Sequence, residues 1–433
     1  MKIAITAIGT RGDVQPHVAL GRGLAEAGHQ VRMAVDALFG EMVTEQGLEF
    51  APIKADPMRA MQADISRLGN NPVRIARWMA EAIEQIGDEY FTGYLTANEG
   101  ADLMIFSSIA AMAGLHIGAY LRLPMISTAL QPVVPTTAYP YSAGMIFPDW
   151  LPFLGQVNKY SYTFALRSFY RMFYKLINRN RESLLGMPAL PWKFYRDIDL
   201  RPFPILHGFS RHVIPFPADY NENQIITGYW FLDQQRDWQP PAELEAFLSA
   251  GEPPVYIGFG SMVDQDAAWL TNLIVEALEI CGQRAILLGG WADLGVESLP
   301  DSILRLDSVP HSYLFQRVAA VAHHGGAGTT GMGLSAGKPT VVVPFLSDQP
   351  FWGWRVEKLG VGPKPIPRLK LTAGKLAAAI TRAVTDEGIK SRAAALGEQI
   401  RAEDGVGNAV RAVEEIYATR RDQNMPAAAL YGK

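Results

Sequence analysis

The stretch VAAVAHHGGAGTT, residues 318–330, joins a short apolar run to a glycine-rich turn and two threonines. Consecutive apolar residues bounded by turn residues are typical of a buried strand. The glycines then clear side chains from the turn, so backbone N–H groups can approach a ligand closely. Thr329 and Thr330 fall where a helix would begin, and the free amides of a first helical turn bind anions. With His324 as a further donor, the stretch predicts an anion site directly after a strand.

A second apolar run, PTVVVP at residues 339–344, predicts the next strand. The loop just past its carboxyl end contains Asp348 and Gln349, and open α/β sheets bind their ligands at that edge. A carboxylate beside an amide offers acceptors and donors side by side, which suits the hydroxyl groups of a sugar. Together the two loops predict a site for a sugar diphosphate.

The same alternation of strand and helix begins twice in this chain. Residues 2–8, 15–27 and 30–35 predict a strand, a helix and a second strand, which form an opening βαβ unit. The pattern restarts near residue 254, where residues 255–259 predict a strand and 267–280 a helix. Parallel strands joined by right-handed crossovers are expected in both halves. We therefore expect an α/β protein with two Rossmann-like domains that face each other across a cleft.

The composition of the chain predicts where these domains meet. Residues 1–225 form the expected first domain, and residues 253–405 form the second. The polar, proline-rich residues 226–252 are the expected linker. An insertion rich in aromatics and cations occupies about residues 150–211 of the first domain, and residues 406–433 form a last helix and a flexible tail.

The amino-terminal half has a motif of its own, GTRGDVQP at residues 9–16. This motif, the pattern HxGGxGTT and the downstream PFxxDQPFW at residues 344–352 together resemble the UDP-dependent glycosyltransferases of the GT-B fold. Within that family the resemblance is strongest to the sterol 3-beta-glucosyltransferase branch, and it spans nearly the whole chain. It implies inverting transfer of glucose from UDP-glucose to a hydroxyl of a sterol-like lipophilic acceptor, which gives a β-glycoside. UDP-glucose is then a co-substrate, no cofactor is expected, and the last helix is expected to return to the first domain.

The resemblance also implies roles for residues of the first loop. Asp13 occupies the position where the family holds the general base that takes the proton from the acceptor hydroxyl. Relatives with a histidine there pair it with an aspartate after the fourth strand, where this chain has Ser107 and Ser108, so Asp13 is expected to act alone. The alternative is that Asp13 only caps the following helix. His17, one helical turn further on, is expected either to assist Asp13 or to pack as a core residue.

Donor-binding residues are expected in several loops. Val309 begins a turn that matches the family's uracil-contacting turn, but Ser312 and Tyr313 replace the usual Asp-Trp, which leaves dTDP open. Trp291 is expected either to line the nucleotide pocket or to pack in the core. The Asp-x-Asp at residues 197–199 falls in the acceptor-side insertion, so no metal site is expected and fixed dipoles must stabilise the diphosphate. The expected donor-binding residues are Gly12, Ser261, Trp291, Val309, His324, Gly326, Gly328, Thr329, Asp348 and Gln349.

The acceptor is expected to be large and apolar, because apolar side chains follow one another along the first-domain cleft. Sterols, hopanoids, triterpenes and polyketide aglycones all meet that description. The expected acceptor-binding residues are Leu130, Val133, Tyr139, Met145, Phe147 and Trp150. Two alternatives stay open at this point. One is transfer from a UDP- or dTDP-sugar to a polyketide, flavonoid or hydroxy-lipid, and the other is a nucleotide-sugar-binding protein without turnover.

The insertion at residues 150–211 carries 10 lysines and arginines but only 3 acidic residues. Apolar side chains recur among these cations at helical spacing, a pattern that suits contact with an anionic membrane surface. The alternative is a surface helix that packs on its own domain and exposes a charged face.

Overall composition narrows the remaining choices. A net charge of −4 gives no electrostatic reason to expect a nucleic-acid partner. The single cysteine, Cys281, excludes an internal disulfide and a cysteine-based metal cage. The first residues are too soon interrupted by charges to be a secretory signal, so we expect a cytoplasmic protein, either free or peripheral on the inner face of the membrane. The oligomeric state does not follow from the sequence.

Overall fold

The computed structural model describes residues 1–54, 72–199, 201–232, 238–259, 267–288 and 299–420. Ser261 and Trp291, two of the expected donor-binding residues, lie outside these ranges. The strands of the first sheet are β1 (Lys2–Thr6), β2 (Gln30–Val35), β3 (Glu49–Pro52), β4 (Leu103–Ser107), β5 (Met125–Ala129), β6 (Ile205–His207) and β7 (Gln224–Ile226). They are parallel and lie in the order β3-β2-β1-β4-β5-β6-β7.

Helices cover both faces of this sheet, as a parallel sheet requires. They are α1 (Arg11–Glu26), α2 (Gly40–Thr44), α3 (Pro72–Asn98), α4 (Ala111–Leu121), α5 (Leu154–Ser183) and α6 (Trp192–Arg196). The central strands are short apolar runs, and every residue of β4 is buried.

The second sheet repeats the design with β8 (Val255–Gly258), β9 (Ala285–Leu288), β10 (Ile303–Leu306), β11 (Ala320–His323) and β12 (Thr340–Val342). Its parallel strands lie in the order β10-β9-β8-β11-β12. Successive strands are therefore added on one side of β8 and then on the other, as they are around β1 in the first sheet. Its helices are α7 (Ala242–Ser249), α8 (Ala267–Cys281), α9 (His311–Leu314), α10 (Ala327–Ser335), α11 (Gln349–Leu359), α12 (Ala373–Thr385) and α13 (Glu387–Arg401). The expected α/β fold with two Rossmann-like halves is confirmed.

The two halves share an apolar core. Tyr139, Phe209 and Val213 of the first half pack in one cluster with Phe351 and Trp352 of the second. Arg355 reinforces this contact, because its Nε and one terminal guanidinium nitrogen both donate to the Val213 carbonyl oxygen, at 3.0 and 2.6 Å. The two domains are therefore in direct contact through packed side chains and hydrogen bonds.

The last helix, α14 (Gly405–Arg420), leaves the second half and packs against α1. Its buried Ala409 and Val413 belong to the same core as Ile5 of β1 and Val18 of α1. The carboxyl end of the described chain thus completes the first domain.

Two predicted boundaries were wrong. Helix α1 begins at Arg11 rather than at Gln15, because Thr10 serves as its N-cap and the glycine and proline that follow do not prevent the first turn from forming. Strand β6 falls inside the predicted insertion, so the alternation of strand and helix resumes at Ile205. A strand of 3 buried residues is too short to give a periodic signal.

Candidate functional site

The site is built where the carboxyl ends of neighbouring strands meet. In the first sheet Thr6 pairs with Phe106, and Ser107 pairs with Thr128, so the segments after β1, β4 and β5 converge. In the second sheet His323 pairs with both Gly258 and Val342, which brings the segments after β8, β11 and β12 together in the same way. Both sheets therefore present these edges to the cleft, the usual place for a ligand in this architecture.

Asp13 is the third residue of α1 and is held by Thr10. The Thr10 amide donates to Asp13 Oδ2 at 2.8 Å, and the Thr10 hydroxyl donates to the same oxygen at 3.0 Å. These bonds form the reciprocal half of a capping box. Asp13 therefore does stabilise the helix start, as the alternative interpretation held, although from inside the first turn. One carboxylate oxygen is engaged in this way, which fixes the direction of the other.

Burial is the main influence on the Asp13 carboxyl. It raises the pKa of Asp13 from 3.8 to about 6, against the two hydrogen bonds from Thr10, which favour the ionised form. The negative charge of Asp348, on the second half, raises this pKa further. Two carboxylates from opposite halves thus face the same space. A carboxylate with a pKa near 6 is ionised at neutral pH and is still basic enough to accept a proton.

His17 does not touch the Asp13 carboxylate. Its Nδ1 lies 2.6 Å from the Asp13 carbonyl oxygen and its Nε2 lies 2.6 Å from Thr128 Oγ1. Since a carbonyl only accepts, Nδ1 is the protonated nitrogen, and the Thr128 hydroxyl donates to Nε2. Burial lowers the pKa of His17 to about 4, so the ring is neutral. The expectation that His17 directly assists Asp13 in proton transfer is wrong; the ring instead anchors the first turn of α1 to β5.

A small polar cavity lies beside Asp13. Its lining includes Asp13, His17, Ser107, Ser108 and Leu130. Ser107 and Ser108 thus lie at the edge where Asp13 lies, and neither brings a carboxylate to this cavity. The Ser107 hydroxyl accepts from the Ile8 amide at 3.4 Å and thereby ties the first loop to β4.

The glycine-rich turn lies on the opposite side of the cleft. Gly325 has a φ of 96°, in the left-handed region, and a Cβ there would lie 2.7 Å from a Val342 methyl, so only glycine fits. Helix α10 begins at Ala327, two residues earlier than expected, with Gly326 as its N-cap. Gly328 and Thr329 are consequently in its first turn, where amides have no helical acceptor. This helix start is a ready-made anion site.

Two histidines precede this helix. His323 is buried, and its Nδ1 accepts from the Gly325 amide at 2.9 Å, which shapes the turn. His324 is partly buried, and its Nδ1 has no hydrogen-bond partner among the described residues. Burial lowers the pKa of His324 to about 4 and places that of His323 well below its ordinary value, so both rings are neutral. The His324 ring also has a hydrogen bond with the Gly258 backbone, which opposes this lowering of its pKa.

In the segment after β12, the side chains of Asp348 and Gln349 have different hydrogen-bond partners. Asp348 Oδ2 accepts from the Trp352 indole at 2.8 Å, and burial raises the pKa of Asp348. Gln349 is buried, and its Oε1 accepts from the amides of Phe345 and Leu346, at 2.8 and 3.1 Å. The loop itself therefore uses the Gln349 oxygen, and the role of Gln349 in donor binding stays a prediction. The Asp348 carboxylate faces the cleft.

The six expected acceptor residues separate into three groups. Leu130 lines the cavity beside Asp13, while Val133 and Phe147 are partly buried. Tyr139 is not a cleft residue, because it is buried in the shared core with its ring edge against Phe351. Met145 and Trp150 are largely exposed. For Tyr139 the predicted place in the cleft was wrong, and for Met145 and Trp150 it stays a prediction.

Thr10 and Arg11, to which the sequence analysis gave no role, contribute to the site, as does Tyr141, which was expected among the side chains of the first-domain cleft. Thr10 holds Asp13, and the spacing of a threonine three residues before an acidic residue could have indicated it. Tyr141 is close enough to Asp348 for that charge to raise the pKa of its phenol. Arg11 projects from the first loop, and its positive charge helps to lower the pKa of His311, a residue of the second half.

Two further expected donor-binding residues, Gly12 and Val309, lie on opposite halves of the protein. Gly12 is exposed in the first turn of α1, one residue from Asp13. Val309 is buried at the start of the turn that leads into α9, and the His311 ring in that turn lies 3.1 Å from the Tyr256 hydroxyl. Within the described ranges no group of three or more His, Cys, Asp or Glu side chains is arranged to hold a metal ion. No described helix is long and apolar enough to cross a bilayer.

Comparison with known proteins agrees with this geometry. Residues 3–140 match the glycosyltransferase family 28 N-terminal domain, and residues 284–416 match the erythromycin biosynthesis protein CIII-like C-terminal domain. The chain is 37% identical over 435 residues to a sterol 3-beta-glucosyltransferase of Aspergillus terreus and 38% identical over 439 residues to one of Emericella nidulans. These matches cover 95% and 97% of this chain, which spans about 30% of the length of either relative.

Solved structures share the same arrangement of two sheets. The glycotransferase of kitacinnamycin superposes with a TM-score of 0.70 at 21% identity, covering 96% of this chain and 98% of the other. The calicheamicin glycosyltransferase CalG4 superposes with a TM-score of 0.67 at 17% identity, again over 96% and 98% of the two chains. The chain therefore belongs to the glycosyltransferases of the GT-B fold, with a family 28 domain in its first half and an erythromycin biosynthesis protein CIII-like domain in its second.

Proposed function

We propose that this protein is an inverting glycosyltransferase that transfers glucose from UDP-glucose to a hydroxyl of a sterol-like lipophilic acceptor. The observation that carries the proposal is the pair of aspartates across the cleft. Asp13 has a pKa of about 6, and the charge of Asp348 contributes to that value from the other half. A base on one side and a sugar-binding carboxylate on the other is what transfer to a hydroxyl requires.

In the proposed step the acceptor oxygen attacks the anomeric carbon of the bound sugar. A new carbon–oxygen bond forms on one face as the bond to the diphosphate breaks on the other, and the leaving group takes the bonding electron pair. Asp13 accepts the proton of the acceptor hydroxyl. Attack opposite to departure inverts the anomeric configuration, so an α-linked donor gives a β-glycoside.

The leaving diphosphate gains negative charge as this bond breaks. On the second-half side the amides of Gly328 and Thr329, at the start of α10, would donate to its oxygens. The partly buried His324 borders this turn, and its pKa of about 4 keeps it uncharged. Preorganised dipoles of this kind stabilise developing charge without reorganising during the reaction. We propose on this basis that transfer needs no divalent metal.

Glucose and a sterol are proposed because the sterol 3-beta-glucosyltransferases of Aspergillus terreus and Emericella nidulans align with nearly all of this chain. The nucleotide is the less constrained partner, since Ser312 and Tyr313 depart from the family's usual Asp-Trp after the turn at Val309. A glycosyltransferase of the same fold, SsfS6, was solved in complex with thymidine diphosphate. dTDP-glucose is therefore the alternative donor.

The test is mass spectrometry of the purified protein with UDP-glucose or dTDP-glucose, a chelator, and a panel of sterols, hopanoids and aromatic aglycones. The expected product is a sterol that is one hexose heavier, formed from UDP-glucose in chelator. A glycosylated polyketide or flavonoid would replace the sterol assignment. Nucleotide binding with no product on any acceptor would leave a binding protein without turnover.

A further inference from the structure

The solvent-facing side of the first turns of α5 and of the loop before it carries unusually exposed apolar side chains. Trp150 is 79% exposed, Phe153 80%, Tyr160 73% and Phe164 76%. Single exposed apolar residues are ordinary on a protein surface, but several large ones within fifteen positions form a patch. We call these four residues the aromatic face.

Phe153 shows that this exposure is imposed by the backbone. It holds a φ of 56°, in the left-handed region that bulky side chains avoid. It does so at the N-cap of α5, where a polar residue would have stabilised the helix start. A bulky ring is therefore kept in an unfavourable conformation and presented to solvent, which favours a role in binding.

Cations run alongside the aromatic face. Lys159, Arg167, Arg171 and Lys175 are all exposed on α5, and the last three follow one another at four-residue spacing, so they form a stripe along the helix. Phe164 lies four residues after Tyr160 and three before Arg167, so the exposed rings and this stripe are neighbours on the helix surface. A helix that offers rings and lysine or arginine side by side matches the boundary between lipid headgroups and acyl chains.

Two carboxylates lie near these cations, since Arg167 helps to lower the pKa of Asp197 and Lys159 that of Asp199, but hydrogen bonds from other arginines are the larger cause for each. Asp197 is paired with its neighbour Arg196 at 2.7 Å, and Asp199 is paired with Arg201 at 2.7 Å. Arg167 donates to a carbonyl oxygen, that of Arg196, which carries no net charge. The surface beside the aromatic face thus keeps a positive charge that would attract an anionic surface.

The inner side of the same helix supports the cleft. The Asn158 amide donates to the Thr137 carbonyl oxygen at 3.1 Å, and the Ser161 hydroxyl accepts from the Tyr141 amide at 2.8 Å. Tyr141 is the residue whose phenol feels the charge of Asp348. The loop at residues 137–141 therefore connects α5, directly behind the aromatic face, to the site where the acceptor hydroxyl must arrive.

We propose that the aromatic face and its stripe of cations dock the protein on an anionic lipid bilayer, from which the lipophilic acceptor enters the cleft past the loop at residues 137–141. The inference deepens the proposed function and rests on it for the nature of the acceptor. Interfacial binding of this kind combines burial of rings with attraction between cations and anionic headgroups.

Co-sedimentation with vesicles tests the docking directly. The protein is expected to sediment with vesicles of equal parts phosphatidylcholine and phosphatidylglycerol, to stay in solution with phosphatidylcholine alone, and to be released by high salt. The double variant Lys159→Gln and Lys175→Gln should lose about fivefold in affinity for each charge removed. The double variant Tyr160→Ser and Phe164→Ser should lose about tenfold for each ring.

Matched controls come from the second domain. Leu369 of the second domain is 92% exposed and is not part of the aromatic face, so Leu369→Ser should bind vesicles as the parent does. Lys364→Gln with Lys370→Gln removes two exposed cations of that domain and should also leave vesicle binding unchanged. Equal losses in the controls and the test variants would overturn the docking face.

Two further outcomes separate this inference from the proposed function. Transfer to a sterol carried by cyclodextrin, without any vesicle binding by the parent protein, would overturn the docking and leave the function intact. Vesicle binding by the parent protein with the expected losses in the variants, but no transfer to any acceptor, would support the docking and overturn the proposed function. If the parent protein instead forms a dimer that Tyr160→Ser with Phe164→Ser dissociates, and ignores vesicles, the aromatic face is an interface between copies and the docking is overturned.

Discussion

On the first-domain side of the cleft the protein buries a carboxylate, Asp13, whose pKa rises to about 6, whereas on the second-domain side it buries His323 and His324, whose pKa values fall. Burial disfavours the charged form in both cases. The consequences for the two kinds of side chain are opposite. The acid becomes a usable base near neutral pH, and the histidines become neutral donors or acceptors in a setting of amides.

This contrast teaches how one cleft can hold a base and an anion site without their interfering. A protonated histidine beside the glycine-rich turn would attract the Asp13 carboxylate across the cleft and lower its basicity. Neutral rings and amide dipoles attract a diphosphate without doing so to the same extent. Opposite shifts in neighbouring titratable groups are how environments assign acid and base roles. A substitution on the Asp13 side of the cleft should therefore leave the glycine-rich turn in place, and the converse should also hold.

The largest effect is expected from Asp13→Asn, which removes the base and keeps the shape. The turnover number should fall by about a thousandfold or more, within the upper range of general-base contributions. UDP affinity, measured by calorimetry, should stay within about twofold, because the donor side is untouched. Turnover near that of the parent protein would exclude Asp13 as the base and leave it only its helix-capping role.

The same variant is expected to gain stability. A raised pKa in the folded state means that Asp13 costs folding free energy once pH rises above its unfolded value of 3.8, and the full cost is present above about 6. Asp13→Asn removes this cost, so denaturant unfolding should show a gain of up to about 3 kcal/mol at pH 8 and little gain at pH 4. A variant less stable than the parent at both pH values would contradict the assigned burial of the carboxyl.

On the other side of the cleft, His324→Ala should mainly weaken donor binding. The neutral ring borders the glycine-rich turn that receives the diphosphate, so its loss disturbs the donor side and leaves Asp13 in place. We expect UDP affinity to fall by about tenfold, with the acid limb of the pH profile unchanged. A shifted acid limb with normal UDP affinity would instead connect His324 to the base.

The glycine-rich turn offers a smaller and sharper test. A Cβ on Gly328 meets nothing within 4 Å in the protein, so Gly328→Ala should fold normally. A methyl group at the start of α10 would nevertheless lie among the amides that receive the diphosphate. We expect UDP affinity to fall by about three- to tenfold, the size of one perturbed hydrogen bond. Gly374→Ala, also open and also in the first turn of a helix, is the matched control and should bind UDP as the parent does.

The sequence was a good guide to the fold because its signals are local. Apolar runs such as those of β4 and β11 are bounded by turn residues, and both halves repeat the same alternation, so the two sheets could be expected. The failures were also physical. Strand β6 is too short for periodicity, and the two glycines and the proline around Asp13 hid the start of α1, although Thr10 is a good N-cap.

Only part of the candidate site could be predicted from the sequence. The glycine-rich turn and Asp13 follow from motifs that fix the backbone, and the structure brings both to the cleft. Apolar side chains carry no such information, because Tyr139 and Trp150 look alike in sequence, yet one is in the shared core and the other is exposed. Gln349 shows the same limit for a polar residue. Its oxygen is used by amides only four and three residues away, which residue type alone does not indicate.

The smallest expected effect concerns the tuning of the base. The Thr10 hydroxyl donates to Asp13 Oδ2 at 3.0 Å and favours the ionised carboxylate, so Thr10→Val should raise the pKa of Asp13 above about 6. The acid limb of kcat/KM should then move to higher pH, so that activity falls about twofold to fivefold at pH 6 and is unchanged at pH 8. Thr10→Ser keeps the hydroxyl and should keep the parent profile. If Thr10→Val and Thr10→Ser show the same limb, that limb belongs to a group other than Asp13, and the contrast between the two sides of the cleft no longer explains the pH dependence.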